Sequence, residues 1–275
     1  MAISRVLTNA FIEEINTDGH APVKFLCEDG NLYYCKNRIT LNKFEIDLLA
    51  YEVICNRFLK YLNISTPDIA LVEVAAGTWF GNRLSKNKKY LKPGIVCFGS
   101  KDIPDSVLIT DLFIDPSRSW YKKIYNLQDL IRIAIFDIWV NNVDRGRQLS
   151  IGRNYNLLLS DSGNGRLIHA FAFGGPDHLR FFHPRLPFSA SNTLISSELI
   201  INCTDLFSYS ELLKIVDDFL SLCLTSVKPV LSDVFDDFSP TWNIPPDLLE
   251  RVSVFLLDSE RFERVDEMVR ASLKI

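Results

Sequence analysis

The stretch Phe136-Asp137-Ile138-Trp139-Val140-Asn141-Asn142-Val143-Asp144-Arg145 marks an abrupt change in the character of the chain. Up to Val140 it ends a long apolar segment, residues 127–140, in which Leu130, Ile131, Ile133, Ala134, Ile135 and Ile138 leave no broad polar face. That pattern predicts a helix buried on most sides and central to a core. Beyond Val140 the sequence turns polar, and residues 141–154 read as a loop. Asp144 is then positioned by a rigid element yet carried on a loop, the combination a catalytic carboxylate needs. Taken alone, Asp144-Arg145 also reads as a surface ion pair or a turn.

Downstream, Asn156 stands twelve residues after Asp144, immediately before the apolar run Leu157-Leu158-Leu159. A turn at residues 161–165 and a second apolar run over 167–173 complete a predicted hairpin. The second run ends in Ala172-Phe173-Gly174. An aspartate on a catalytic loop, an asparagine before a strand and a strand ending in x-Phe-Gly follow the order of kinase active sites. There the asparagine and the aspartate of Asp-Phe-Gly hold the metal that bridges the ATP phosphates. Here the aspartate is Ala172.

Upstream, residues 23–27 and 31–36 are short, β-branched and aromatic, separated by Glu28-Asp29-Gly30, and predict a hairpin. Lys36 ends its second strand. Residues 44–62 repeat apolar positions at helical spacing (Leu48, Leu49, Val53, Phe58, Leu62), closed by Asn63 and Pro67. Glu52 in that helix is the natural partner for Lys36, although each also reads as a surface residue when taken singly. Residues 69–74 and 107–114 are further predicted strands, the latter buried. Asp115-Pro116-Ser117 breaks the chain, which places a boundary between lobes 1–115 and 116–275. From Ser210 onward the pattern is helical, over residues 211–224, 246–257 and 261–273.

Composition bounds the function. The chain has 275 residues, is 47% hydrophobic and carries a net charge of −4, the profile of a folded protein that does not coat nucleic acid. The basic run Arg83 to Lys92, with Lys86, Lys88 and Lys89, reads as a solvated loop. The six cysteines lack CxxC or Cys/His spacing and read as buried thiols in a reducing compartment. No secretory layout and no uncharged apolar run near the roughly 20 residues of a membrane span are present, so a cytoplasmic location is expected and a membrane partner is not.

Several features together are similar to the HipA-like kinase family, itself distantly similar to the phosphatidylinositol 3-/4-kinases. They are the 136–145 stretch with Asn156-Leu157-Leu158-Leu159, Gly19-His20-Ala21-Pro22 before the Glu28-Asp29-Gly30 hairpin and Lys36, and the helix from Glu52 to the Pro67 turn, with Asn63 where a glycine is common. Phe98-Gly99-Ser100-Lys101 and the helices after Pro245 also resemble the family, so the likeness runs from about residue 19 to 265.

The resemblance implies an α+β, two-lobed protein-kinase-like fold with a β-rich N-lobe and a mainly helical C-lobe. It implies ATP and Mg²⁺ as cofactors, with Lys36 and Gly19 at the nucleotide and Glu52 orienting the lysine. Asp144 would position or deprotonate the acceptor hydroxyl, and Asn156 would ligate the metal together with position 172. The interval from Asp144 to Asn156 exceeds the usual spacing, so Asn154 is a rival ligand. Asp177 lies beyond the glycines and is a poor substitute for the absent carboxylate. His169 and His178 read as a hydrogen-bonded strand histidine and a loop histidine.

The implied activity is that of a Ser/Thr protein kinase, with relatives that include toxins of toxin–antitoxin pairs, a protein substrate and an antitoxin partner. Alanine alone at 172, with Lys36, Glu52, Asp144 and Asn156 intact, reads as a substitution that silences a kinase rather than as drift. The alternatives are a nucleotide-binding pseudokinase or interaction protein and, below it, a lipid kinase.

Overall fold

In the computed structural model the described residues are 3–16, 21–38, 43–80, 83–110, 117–142, 145, 147–149, 152–161, 166–170 and 194–275. The chain divides into two compact units that interleave along the sequence. The first comprises Met1–Val53, Pro67–Ile103 and Asp233–Pro246; the second comprises Ile54–Thr66, Pro104–Ser232 and Asp247–Ile275.

The first unit is built on a closed five-stranded barrel of order β1-β2-β3-β5-β4. Its strands are β1 (Ser4–Glu14), β2 (Val23–Cys27), β3 (Leu32–Lys36), β4 (Ile69–Glu73) and β5 (Val96–Lys101). The expected hairpin forms with Phe25 opposite Tyr33, and Gly30 turns it at φ 75°. Strand β3 then pairs β5 with Cys35 opposite Gly99 and Lys36 opposite Phe98. Parallel pairing of β1 with β4, Ser4 opposite Ala70, closes the barrel.

Alternate side chains of β2 and β3 point inward, as a period of two requires. Val6, Phe11, Phe25, Tyr33, Val72 and the thiols of Cys27, Cys35 and Cys97 fill the interior. All six cysteines are free and buried, as the sequence suggested. Burial pushes the Cys27 and Cys97 thiols up to about 12, which makes them inert as nucleophiles. The distant segment Asp233–Pro246 is tied to the barrel by hydrogen bonds. Trp242 Nε1 donates to the Val96 carbonyl at 2.8 Å, and the Ile3 amide donates to Asp237 Oδ1 at 2.9 Å.

Helix α1 (Lys43–Tyr61) matches its expected span to within a residue and contributes Glu52 to the first unit. It ends at Asn63 in the left-handed region, φ 55°, with the Ile64 amide donating to the Leu59 carbonyl at 2.8 Å. Asparagine tolerates that conformation better than other non-glycine residues, which explains its place where a glycine is common.

The second unit contains α2 (Arg118–Tyr121), α3 (Gln128–Val140), α4 (Glu198–Thr204), α5 (Tyr209–Asp233, to Ser232 in this unit), α6 (Leu248–Leu257) and α7 (Ser259–Leu273). Helix α3 is buried on nearly every side, including Asp129 and Asp137, and is the central helix its sequence predicted. Trp139 packs edge-on against Phe58 at 5.2 Å between centroids. A sheet of order β10-β9-β6 lies in the same unit, formed by β6 (Ser106–Leu108), β9 (Leu157–Asp161) and β10 (Arg166–Ala170).

Two expectations need correction here. Of the strand predicted over 107–114, only β6 and the two residues after it are described; Val107 and Leu108 are 43% and 47% exposed rather than buried, Ile109 is fully buried, and residues 111–114 lie outside the described residues. The loop over 141–154 contains a short ladder, β7 (Arg147–Leu149) with β8 (Gly152–Asn154), which pairs Arg147 with Asn154. Among the described residues no helix is long and apolar enough to cross a membrane.

Candidate active site

In the first unit, Lys36 leaves the end of β3 and its Nζ donates to Glu52 Oε1 of α1 at 2.6 Å. Neither residue lies on the surface: the side chains are 18% and 7% exposed. The pair expected from sequence therefore forms, and the surface alternatives for both residues fall. A half-buried ammonium in a short contact with a buried carboxylate is held in position.

In the second unit, the C-terminal end of α3 is held by a group of buried polar contacts. Asp137 Oδ2 lies 2.8 Å from Arg145 Nε in an ion pair whose side chains are 0% and 1% exposed, and Asp137 Oδ1 accepts from Asn142 Nδ2 at 3.0 Å. The Asn142 amide also donates to the Asp137 carbonyl at 2.8 Å. Asn141 caps the helix in the left-handed region, φ 57°. Arg145 Nη1 then donates to the carbonyls of Tyr155 at 3.2 Å and Asn156 at 2.6 Å. Asn156 is itself buried and left-handed, φ 45°, directly before β9.

One arginine thus ties α3 to the residue expected to hold metal. Sequence reasoning quoted Asp137, Asn142 and Arg145 but gave them no role. The available signal was Asp137 itself, a carboxylate set among apolar residues in the second half of α3, which must find a buried partner. Arg261 of α7 contributes from far along the chain. Its guanidinium donates to the carbonyls of Ile138 and Trp139 and stacks 3.8 Å from the Phe255 ring centroid.

His169 of β10 is buried between two hydroxyls, Ser65 Oγ at 2.7 Å from Nδ1 and Ser160 Oγ at 2.7 Å from Nε2. Each hydroxyl can donate to or accept from the ring nitrogen that it faces. Burial holds its pKa below the ordinary value. The strand histidine is structural, as expected.

Gly19, Asp144, Ala172, Asp177 and His178 lie outside the described residues. Asn154 is placed on β8 by its backbone. Among the described residues no group of three His, Cys, Asp or Glu side chains could hold a metal ion.

A family model for HipA-like kinases matches residues 11–181, more than half of the chain. The chain belongs to the HipA-like kinase family. No curated protein matches the sequence. Among solved structures, this HipA-like chain is similar to the Helicobacter pylori proinflammatory kinase CtkA at 10% identity and a TM-score of 0.53, covering 100% of this chain and 99% of that one. It is also similar to a chain of the Shewanella oneidensis MR-1 toxin–antitoxin complex of HipA, HipB and operator DNA. That match has 12% identity and a TM-score of 0.50, over 96% of this chain and 65% of the other. At such identities the likeness shows the fold alone, a kinase-like arrangement of strands and helices. The β-rich part is closed into a barrel rather than open.

Proposed function

We propose that this HipA-like kinase is built for transfer of the γ-phosphate of ATP to a serine or threonine hydroxyl of a protein, and that alanine at 172 impairs turnover in this chain. The observation that carries the reading is the Lys36–Glu52 pair, a half-buried ammonium on a buried carboxylate. An ammonium fixed at the end of a strand by a helix carboxylate suits the phosphates of a nucleotide and has little structural reason to be buried otherwise. In the transfer, the acceptor oxygen bonds to the γ-phosphorus as the bond to the β–γ bridging oxygen breaks, and ADP leaves with that electron pair. Asp144 is assigned to orient the hydroxyl and take its proton, Lys36 to neutralise the phosphates, and Gly19 to lie beside them.

ATP suits the cation supplied by this chain. Magnesium, which would neutralise charge between the β- and γ-phosphates, meets a poorer donor set. The amide of Asn156 or Asn154 remains, but an alanine side chain at 172 has no lone pair to offer. These residues do not fit a metal held by paired ligands. Loss of a metal-bridging carboxylate corresponds to several kcal/mol of transition-state stabilisation, about a hundredfold or more in rate.

The same contrast, an intact Lys36–Glu52 pair beside Ala172, favours a second reading as a nucleotide-binding pseudokinase. A toxin role with an antitoxin partner in the cytoplasm extends to this chain what the Shewanella complex holds, HipA with HipB. A lipid acceptor ranks below a protein one.

The test is Ala172→Asp incubated with labelled ATP and Mg²⁺, beside Asp144→Ala in the same background. Phosphate is expected on the protein itself or on a lysate protein, and only with Asp144 present. ATP-dependent thermal stabilisation without transfer would select the pseudokinase reading. Absence of both would sink the nucleotide reading altogether.

A further inference from the structure

Between Glu73 and Asp102 the chain carries no acidic residue, yet it carries Arg83, Lys86, Lys88, Lys89, Lys92 and Lys101. In a protein of net charge −4 this is a strong segregation of charge. The sequence alone read the run as a solvated loop; the structure shows how it is held. Leu84 and Leu91 sink into the barrel core. Between them, the Glu14 carboxylate accepts from the Ser85 amide at 2.6 Å and from the Asn87 amide and Nδ2 at 2.9 and 2.6 Å. Asn87 Nδ2 also donates to the Ala21 carbonyl at 2.8 Å. The Glu14 carboxylate is thus engaged by amides of the loop.

Lys88, Lys89 and Lys92 are exposed and have no carboxylate partner among the described residues. Earlier in the same connection between β4 and β5, Trp79 is 75% exposed, its ring 6.0 Å from the Arg83 guanidinium, which itself lies 4.7 Å from the Phe11 ring centroid. Arginine and tryptophan are the residue types that dominate binding energy at protein interfaces, and lysines suit a charged rim. A tether of this kind costs little to order on binding, because its backbone is already fixed.

We propose that Trp79, Arg83, Lys88, Lys89 and Lys92 form a docking surface for an acidic peptide segment of a partner protein, one bearing an aromatic or leucine residue beside its carboxylates. Charge complementarity selects the acidic segment, and Trp79 selects the apolar neighbour. Confinement of these charges to one connection of the chain, in a protein of net charge −4, favours a short segment over a long polyanion such as nucleic acid. The inference stands apart from the nucleotide chemistry.

An array of synthetic dodecamer peptides, acidic, neutral and lysine-substituted, each with one Phe, Trp or Leu, tests it against the full chain. Acidic dodecamers are expected to bind selectively at low salt and to weaken as salt rises. Lys88→Glu with Lys89→Glu should weaken binding about tenfold or more, and Trp79→Ala about threefold, with unchanged melting temperatures. Acidic dodecamers that bind no better than neutral ones would overturn the proposal. So would binding that survives the lysine reversals. An oligo(dT) twenty-mer or phosphatidylserine vesicles that bind more tightly through the same residues would overturn it in favour of a nucleic acid or a membrane.

Discussion

Arg145 and Asp137 form an ion pair at 2.8 Å whose two side chains are 1% and 0% exposed, and the same guanidinium holds the carbonyl of Asn156. Such a pair adds little net stability compared with well-packed apolar residues, but removing one partner strands the other charge in a dry interior. Arg145→Met is therefore expected to cost about 3–5 kcal/mol in urea unfolding. Asp137→Leu with Arg145→Met should recover a large part of that loss. Double-variant costs that simply add would show that the two residues do not act as a pair.

Lys36→Met should abolish most of the rise in melting temperature produced by ATP, with nucleotide affinity falling about tenfold or more. Glu52→Gln keeps the shape and removes the charge that orients the lysine, so its effect should be smaller and in the same direction. Titration calorimetry with ATP, with and without Mg²⁺, checks both. An undiminished ATP response in Lys36→Met would remove the lysine from the nucleotide site.

Gly99 packs too closely for any side chain. A Cβ there would lie 2.4 Å from Val72 Cγ2 and 3.3 Å from the Ala70 carbonyl oxygen. Gly99→Ala is expected to destabilise by about 1–3 kcal/mol, and Val72→Ala in the same chain should relieve part of the crowding. Chemical denaturation of the single and double variants measures the difference.

His169 makes stability depend on pH. Its folded-state pKa is depressed by burial from the ordinary 6.5, so below that value the unfolded chain binds a proton that the folded chain resists. The contribution is fully present above 6.5 and is lost as pH falls toward and through the lower folded value. His169→Gln should flatten the urea midpoint between pH 7 and 5 relative to the parent, whatever its effect at pH 7.

Much of this architecture was legible because it is local. The hairpin of β2 and β3, helix α1, helix α3 and the β9–β10 pair each follow a clean period in their own residues. Strand β1 escaped because its pairing with β2 shifts register between Thr8 and Ala10 and again between Phe11 and Glu13, which breaks strict alternation. Closure of the barrel was hidden for another reason, since parallel pairing of β1 with β4 joins residues more than sixty positions apart. At the site, Lys36 and Glu52 were readable as a pair from a strand end and a helix face. The support given by Arg261 to the carbonyls of α3 was not, because no local pattern links positions 138 and 261.

Closure of the barrel gives β1 a duty beyond its own hydrogen bonds. It is the stave that hides both β2 and β4 from solvent, and a ring of strands offers no free edge for another chain to extend. Deleting residues 4–14 would cut that ring open and bare two strand edges at once. The shortened protein would be lost to intermolecular strand pairing before any question of catalysis arose, so the N-terminal strand protects solubility for the whole unit.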